Sequence, residues 1–199
     1  MQNSQINGNE WRSLPYLQEK RVFLRLAKED DIAQIISFYF NNAAHFEKVS
    51  SPKPLEFYTA EFWQNKVITS LQDFHGDRAC NLFIFDLDVR EIIGFINFFS
   101  FIRGAFHACI LGYGLSETAQ GKGLMTEALQ LAIDFVFREL NIHRIMANYS
   151  PTNERSGKLL QRLNFTIEGY ARNYLLIHGE WQDHILTSLT NHAWKLPEF

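Results

Sequence analysis

One stretch in the second half of the chain combines the parts of an anion site: Ala119-Gln120-Gly121-Lys122-Gly123-Leu124-Met125-Thr126-Glu127-Ala128. It follows the apolar run Ala108-Cys109-Ile110-Leu111-Gly112-Tyr113-Gly114-Leu115 and opens a segment with helical spacing of apolar residues. The order reads strand, glycine turn, helix. A helix N-terminus leaves backbone N–H groups unpaired and carries partial positive charge. Glycines in front of it let a phosphate come close to that backbone. Two common nucleotide motifs do not account for the stretch. A dinucleotide fingerprint needs a third glycine where Thr126 stands, and an acidic residue ending the next strand, where the chain has Met146-Ala147-Asn148-Tyr149. A P-loop needs four residues between its glycines and then Gly-Lys-Ser/Thr. The histidines are scattered without ligand spacing, so no metal site is expected.

The elements around this turn follow from hydrophobic spacing. Met1 to Gln18 read as a poorly ordered lead-in. Arg21-Val22-Phe23-Leu24-Arg25-Leu26 alternates as a half-buried strand. Ile32, Ile35, Ile36 and Tyr39 mark a helix, with Asp30 or Asp31 in its favourable first turn. A loop through Pro52 and Pro54 leads to a second helix over Glu56 to Phe74. Asn81 to Leu87 and Glu91 to Phe101 form a hairpin, and His107 to Leu115 makes a third adjacent strand. Leu124, Ala128, Leu131 and Phe135 line one helix face. Arg144 to Tyr149 is a short strand, and a helix after Pro151 turns Leu159, Leu160 and Leu163 inward. Phe165 to Ile177 and Glu180 to Thr190 are two strands around His178-Gly179. Consecutive strands joined by short turns imply an α+β fold: a mixed, largely antiparallel sheet with helices on both faces.

Bulk properties narrow the function. At 199 residues the chain reads as a single domain over 1–199. Aromatics at 15% supply a core or line an apolar groove. A net charge of −3 argues against a general nucleic-acid binder, so no direct nucleic-acid partner is expected. Two cysteines, Cys80 and Cys109, make no CxxC pair, which fits a reducing compartment. The polar N-terminus has no signal-peptide core and no run approaches a membrane span, so cytoplasm is the expected location.

Gln120-Gly121-Lys122-Gly123-Leu124-Met125 resembles the Q/R-x-x-G-x-G/A turn of the GCN5-related N-acetyltransferase family, with Met125 where that family has Gly or Ala. Pro151-Thr152-Asn153-Glu154-Arg155-Ser156 followed by Leu159-Leu160-Gln161-Arg162-Leu163-Asn164-Phe165 is similar to the family's N-x-x-S-x-x-L-L-x-x-L-G-F segment. Asn164 replaces the usual Gly at a left-handed helix end, where Asn is the next best residue. Arg103 to Cys109, Ile142 to Tyr149, Glu168-Gly169-Tyr170 and Trp181-Gln182-Asp183-His184 resemble the branch that acts on ribosomal-protein alanine. The resemblance implies acetyl-CoA as co-substrate. Its diphosphate would meet the backbone of Gln120, Gly121, Lys122, Gly123, Leu124 and Met125, its pantetheine arm would pair with the edge of the strand ending at Leu115, and Asn153 and Ser156 would touch the co-substrate, Asn153 near the pantetheine arm. It also implies a V-shaped opening between the strand ending at Leu115 and the strand Arg144–Tyr149. Backbone donors near Leu115 would stabilise charge developing on the thioester carbonyl.

The implied activity is transfer of acetyl from acetyl-CoA to a protein N-terminal α-amine, that of alanine on a ribosomal protein. Two other readings compete. One is acetylation of a polyamine or antibiotic amine, for which Asp86 and Asp88 in a turn are weak anchors. The other is a non-catalytic acetyl-CoA-binding module in ribosome assembly. The family's occasional Glu base falls on Asn148 here, and its Tyr acid on Leu160. Glu168 is the favoured remaining base, ahead of Asp183, Tyr170, Tyr174 and His107. Trp63, Trp181 and Trp194 read as packing, with Trp181 also placed to wall an acceptor groove.

Overall fold

The computed structural model describes residues 13–196. Its sheet has eight strands: β1 (Tyr16–Gln18), β2 (Val22–Arg25), β3 (Cys80–Asp86), β4 (Ile92–Ile102), β5 (Ala108–Leu115), β6 (Arg144–Tyr149), β7 (Thr166–Ile177) and β8 (Glu180–Thr190). Their spatial order is β1-β2-β3-β4-β5-β6-β8-β7. The β5–β6 pair is parallel and every other pair antiparallel. Five helices connect them: α1 (Ile32–Asn41), α2 (Ala43–Phe46), α3 (Ala60–His75), α4 (Leu124–Arg138) and α5 (Glu154–Arg162).

Several details differ from the sequence reading, which had no helix at α2 (Ala43–Phe46). The lead-in ends earlier, because Tyr16–Gln18 pair antiparallel with β2; residues 1–12 lie outside the described residues. Strand β2 is not half-buried: Val22, Phe23 and Leu24 are all enclosed. It is an inner strand covered on both faces, so alternation with the flanking arginines stops where burial begins. The second helix starts later, at Ala60, because Leu55–Tyr58 forms a separate 3-10 turn and the Thr59 hydroxyl accepts from the Phe62 amide as an N-cap.

Two cores hold the layers together. On one face, α4 and α5 set Ala128, Leu129, Ala132, Leu159 and Leu160 against Leu24, Ile84, Cys109, Leu111 and Ile145. On the other, α1 and α3 bring Ile35, Phe38 and Trp63 onto Phe23, Phe83 and Phe85. The entry to α1 is fixed by Arg25, which donates to both Asp31 oxygens at 2.6 and 2.8 Å, and by the Lys28 amide at 2.7 Å. Burial of the Asp31 carboxyl disfavours its charge, but these donors outweigh that and hold it below the usual carboxylate range. Asn164, just past the end of α5, has φ of +63°, the left-handed conformation expected there.

The sheet splits in its middle. The β5–β6 ladder runs only from Ala108↔Arg144 to Ile110↔Met146. Beyond it, β5 keeps its register with β4 out to Leu115↔Gly94, while β6 stays with β8 out to Tyr149↔Ile185. Each strand follows its outer neighbour, and the backbone edges between them are left without a ladder partner. Alternation turns Gly112 and Gly114 toward the α1/α3 side. A Cβ on Gly114 would stand 2.6 Å from ring atoms of Phe95 and 3.1 Å from Phe46, so only glycine lets α2 and β4 close over the strand here.

Candidate active site

The end of β5 delivers the chain into the glycine turn. Gly121 and Gly123 adopt φ of +76° and +78°, and Gly123 is the N-cap of α4. L-residues with side chains resist that region, so the two glycines allow a tight turn whose amides converge. Among the described residues, the main-chain N–H groups from Gly121 to Thr126 bond to no protein acceptor; the first paired amide of the helix is Glu127, donating to the Gly123 carbonyl at 3.2 Å. A Cβ on Gly121 would find nothing within 4 Å, so the turn is open above. This arrangement fits a diphosphate: several free donors, the positive end of a helix, and room for approach. Met125, the departure noted in the sequence, is buried, so its side chain serves the core and its amide stays available. Gln120 differs from the rest of the stretch: its amide is already bonded to the Glu117 carbonyl at 3.3 Å.

The Gln120 side chain links three elements instead. Arg155 on α5 donates to its Oε1 at 2.5 Å, which orients the amide so that Nε2 donates to His45 Nε2 on α2 at 2.8 Å. His45 therefore accepts at that nitrogen. Across the opening, Tyr113 on β5 and Ser156 on α5 share a hydroxyl–hydroxyl bond of 2.6 Å. Burial pushes the Tyr113 hydroxyl up to about 12, so it keeps its proton at neutral pH. Asn153 caps α5 through Oδ1 to the Ser156 amide at 3.2 Å, and the rest of its side-chain amide stays available. The Tyr113–Ser156 and Gln120–Arg155 bonds thus tie β5 and its glycine turn to the start of α5. His45, Tyr113 and Arg155 were not singled out from sequence; Arg155 alone carried a local signal, lying between Asn153 and Ser156.

The other mouth of the split faces the α1/α3 side. Asn148, on β6 beyond the last β5 pair, donates to the Tyr174 hydroxyl at 3.0 Å. Phe46 of α2 packs on Phe95, 5.7 Å between ring centres, over the end of β5. From beyond β6, the tip of the β7–β8 hairpin reaches back: the His178 amide donates to Ser51 Oγ at 3.1 Å, and His178 Nε2 meets the Glu47 carbonyl at 2.7 Å. These contacts bridge the mouth from one side to the other.

The proton-handling candidates fare unevenly. Glu168, the favoured base candidate, is held in an ion pair with Arg144. Arg144 donates to one of its oxygens and Ser188 to the other, at 2.9 Å for Ser188. The Arg144 and Ser188 bonds hold its carboxyl below the usual range, which makes it a poor acceptor for an amine proton. Glu168→Gln is expected to leave the pH–rate profile near neutrality unchanged and to lower kcat less than about 3-fold, where loss of a true base costs about 100-fold or more. The cost should appear in stability. A carboxyl depressed in the folded state stabilises above its unfolded value and loses this as pH falls through the folded one. The variant's melting temperature should therefore fall below wild type at pH 7, with the gap closing in acid.

Asp183 is also engaged, accepting from the Tyr170 hydroxyl at 2.6 Å and the Asn173 amide at 2.8 Å. His107, the last of the base candidates, packs on Trp194, 5.0 Å between ring centres, at the closed end of the β5–β6 pair, and its Nδ1 is buried without a hydrogen bond among the described residues. Leu160 is 1% exposed and belongs to the core. Trp63 is buried and donates to the Phe57 carbonyl, as packing requires. Trp181 is exposed, and alternation along β8 sets it on the face opposite Leu186, the partner of Asn148, so it does not wall this mouth. Among the described residues, no helix is long and apolar enough to cross a membrane.

A split mixed sheet with a glycine-turn amide cradle beside the split is the architecture of a coenzyme A-dependent acyltransferase. Residues 21–166 match the model of the acetyltransferase (GNAT) domain, and the chain belongs to that family. It is 46% identical over 180 residues to the [ribosomal protein uS5]-alanine N-acetyltransferase of Escherichia coli K12, covering 89% of this chain and 92% of that one. It is 34% identical over 176 residues to the probable N-acetyltransferase YjcK of Bacillus subtilis, covering 88% and 97%. The crystal structure of ribosomal-protein-S5-alanine acetyltransferase from Vibrio fischeri superimposes with a TM-score of 0.88 at 35% identity, covering 92% of this chain and all of that one.

Proposed function

We propose that this chain transfers the acetyl group of acetyl-CoA to the N-terminal α-amine of a ribosomal protein, with alanine of uS5 as the acceptor its E. coli relative is named for. The observation that carries this reading is the row of unpartnered amides from Gly121 to Thr126 opening beside the β5–β6 split. These amides hold the diphosphate. Asn153, Ser156 and the free edge of β5 near Leu115 hold the pantetheine arm. When bound, acetyl-CoA supplies an activated acyl group. The chain's own work is to fix that group and the amine in one gap and to exclude water, which accounts for much of the barrier lowering in acyl transfer. Asn148 and Tyr174 line the amine's approach. Neither is a strong base, and an α-amine does not need one. We place the protein in the cytoplasm, with buried Cys80 and Cys109 joined by no disulfide.

A polyamine acceptor has one supporting observation: 30% identity over 80 residues to a spermidine N(1)-acetyltransferase of E. coli, covering 40% of this chain. The structure speaks against it. Cationic acceptors call for free carboxylates, and Glu168 and Asp183 are already satisfied by protein donors. Thiol release from acetyl-CoA is the test. Turnover with a peptide starting in alanine supports the proposal. Turnover only with spermidine, or coenzyme A binding with no turnover on either acceptor, overturns it.

A further inference from the structure

We infer that Arg21, at the threshold of β2 and far from the glycine turn in sequence, is a positioning residue for the diphosphate of acetyl-CoA; the inference rests on the acetyl-CoA reading above. Its guanidinium makes a fork. Nε donates to Glu127 Oε2 at 2.8 Å, and a terminal nitrogen lies 2.7 Å from the same oxygen. The other terminal nitrogen donates to the Lys122 carbonyl at 2.8 Å. The Arg21 main-chain amide reaches the second Glu127 oxygen, also at 2.8 Å. Sheet, turn and helix are thus riveted at one point.

Two consequences follow. A trans peptide carries its C=O and the next N–H in opposite directions. Pinning the Lys122 carbonyl toward Arg21 therefore aims the Gly123 N–H the other way, into the cradle. The second consequence is electrostatic. Glu127 lies in the first turn of α4, and its side chain is only 12% exposed. A bare carboxylate there would repel a diphosphate bound at the same helix end. Arg21 neutralises it, so the helix terminus presents its positive end unopposed. No other residue among the described hydrogen bonds and ion pairs contacts the Glu127 carboxylate. An isolated Arg–Glu pair of purely structural worth would support the fold without regard to which acyl donor is bound.

That difference supplies the test. S-acetylpantetheine has the same thioester and lacks the diphosphate. kcat/KM is measured for both donors with a peptide starting in alanine. Arg21→Ala is expected to lower the value for acetyl-CoA about 30-fold, because the Gly123 amide is no longer aimed and the Glu127 carboxylate is unmasked, and to leave S-acetylpantetheine within about 2-fold. Adding Glu127→Gln should recover about 3- to 5-fold of the acetyl-CoA loss, since the repulsion goes with the charge. Equal losses on both donors, or no loss on either, overturn the inference. Wild type showing no preference for acetyl-CoA would instead overturn the cradle itself. If Arg21→Ala does not fold, Arg21→Lys carries the same comparison. Lysine can neutralise Glu127 but cannot hold the fork, so acetyl-CoA alone should lose about 5-fold.

Discussion

Gly123→Val is expected to weaken coenzyme A binding about 100-fold or more, because a β-branched residue cannot keep the backbone that aims the cradle. Gly123 has φ of +78° and caps α4. A valine there either carries left-handed strain or flips out of that region, turning the Gly123 and Leu124 amides away from the ligand. Charge-assisted bonds contribute about 1.5–3 kcal/mol each, so losing two gives roughly 3–6 kcal/mol, which is about 100-fold or more in Kd. Backbone strain alone would also lower stability, so a control is needed. Gly104 has φ of +69° with nothing within 4 Å of a Cβ, and it lies in the turn between β4 and β5. Gly104→Val should lose similar stability with no change in Kd. Calorimetric titration with coenzyme A reads both, and wild-type affinity in Gly123→Val would mean that these amides do not hold the diphosphate.

The second large effect is discrimination among amines. Glu168 and Asp183 are engaged by protein donors and Asn148 stands at the split, so none of the three is free to strip a proton. The acceptor's own pKa should then govern the rate. An α-amine near ~7.8 costs about 1 kcal/mol to deprotonate at pH 7, against roughly 4.6 for a lysine amine near ~10.4. kcat/KM for an alanine N-terminus should exceed that for a lysine in an N-terminally blocked peptide by about 350-fold at pH 7. At pH 9 the α-amine is almost fully neutral while lysine is still gaining, and the ratio should shrink to about 25. Competition between the two peptides across this range checks both numbers. A ratio near one, constant with pH, would reveal a strong base in the site.

The parts of this protein legible in its sequence are those specified locally. Strands β3 to β8 and helix α4 are recognisable because apolar spacing and glycine turns are short-range signals. The cradle was legible for the same reason, since Gly121, Gly123 and the start of α4 are contiguous. Asn164 could be assigned a left-handed conformation because a helix end imposes it. What could not be read depends on tertiary meetings. Strand β1 exists only because β2 offers it an edge. Burial of β2 on both faces requires α4 on one side and α1/α3 on the other. The partners of Glu168, Arg144 and Ser188, come from β6 and β8 and meet it only in the folded sheet. Arg21 gave no sign at all, because its partners are a turn and a helix from the other half of the chain.

The link from His178 to Glu47 and Ser51 limits what can enter. With α2 seated over the end of β5 and the hairpin tip returning from beyond β6, the protein closes an eyelet around the open side of the split. A polypeptide cannot be laid sideways through a closed ring. Only a loose end can be threaded into it, and the amine at that end is the first group to arrive. Selectivity for chain termini would then come from topology as much as from acidity. It would also favour a client whose leading residues still hang free, before assembly tucks them away.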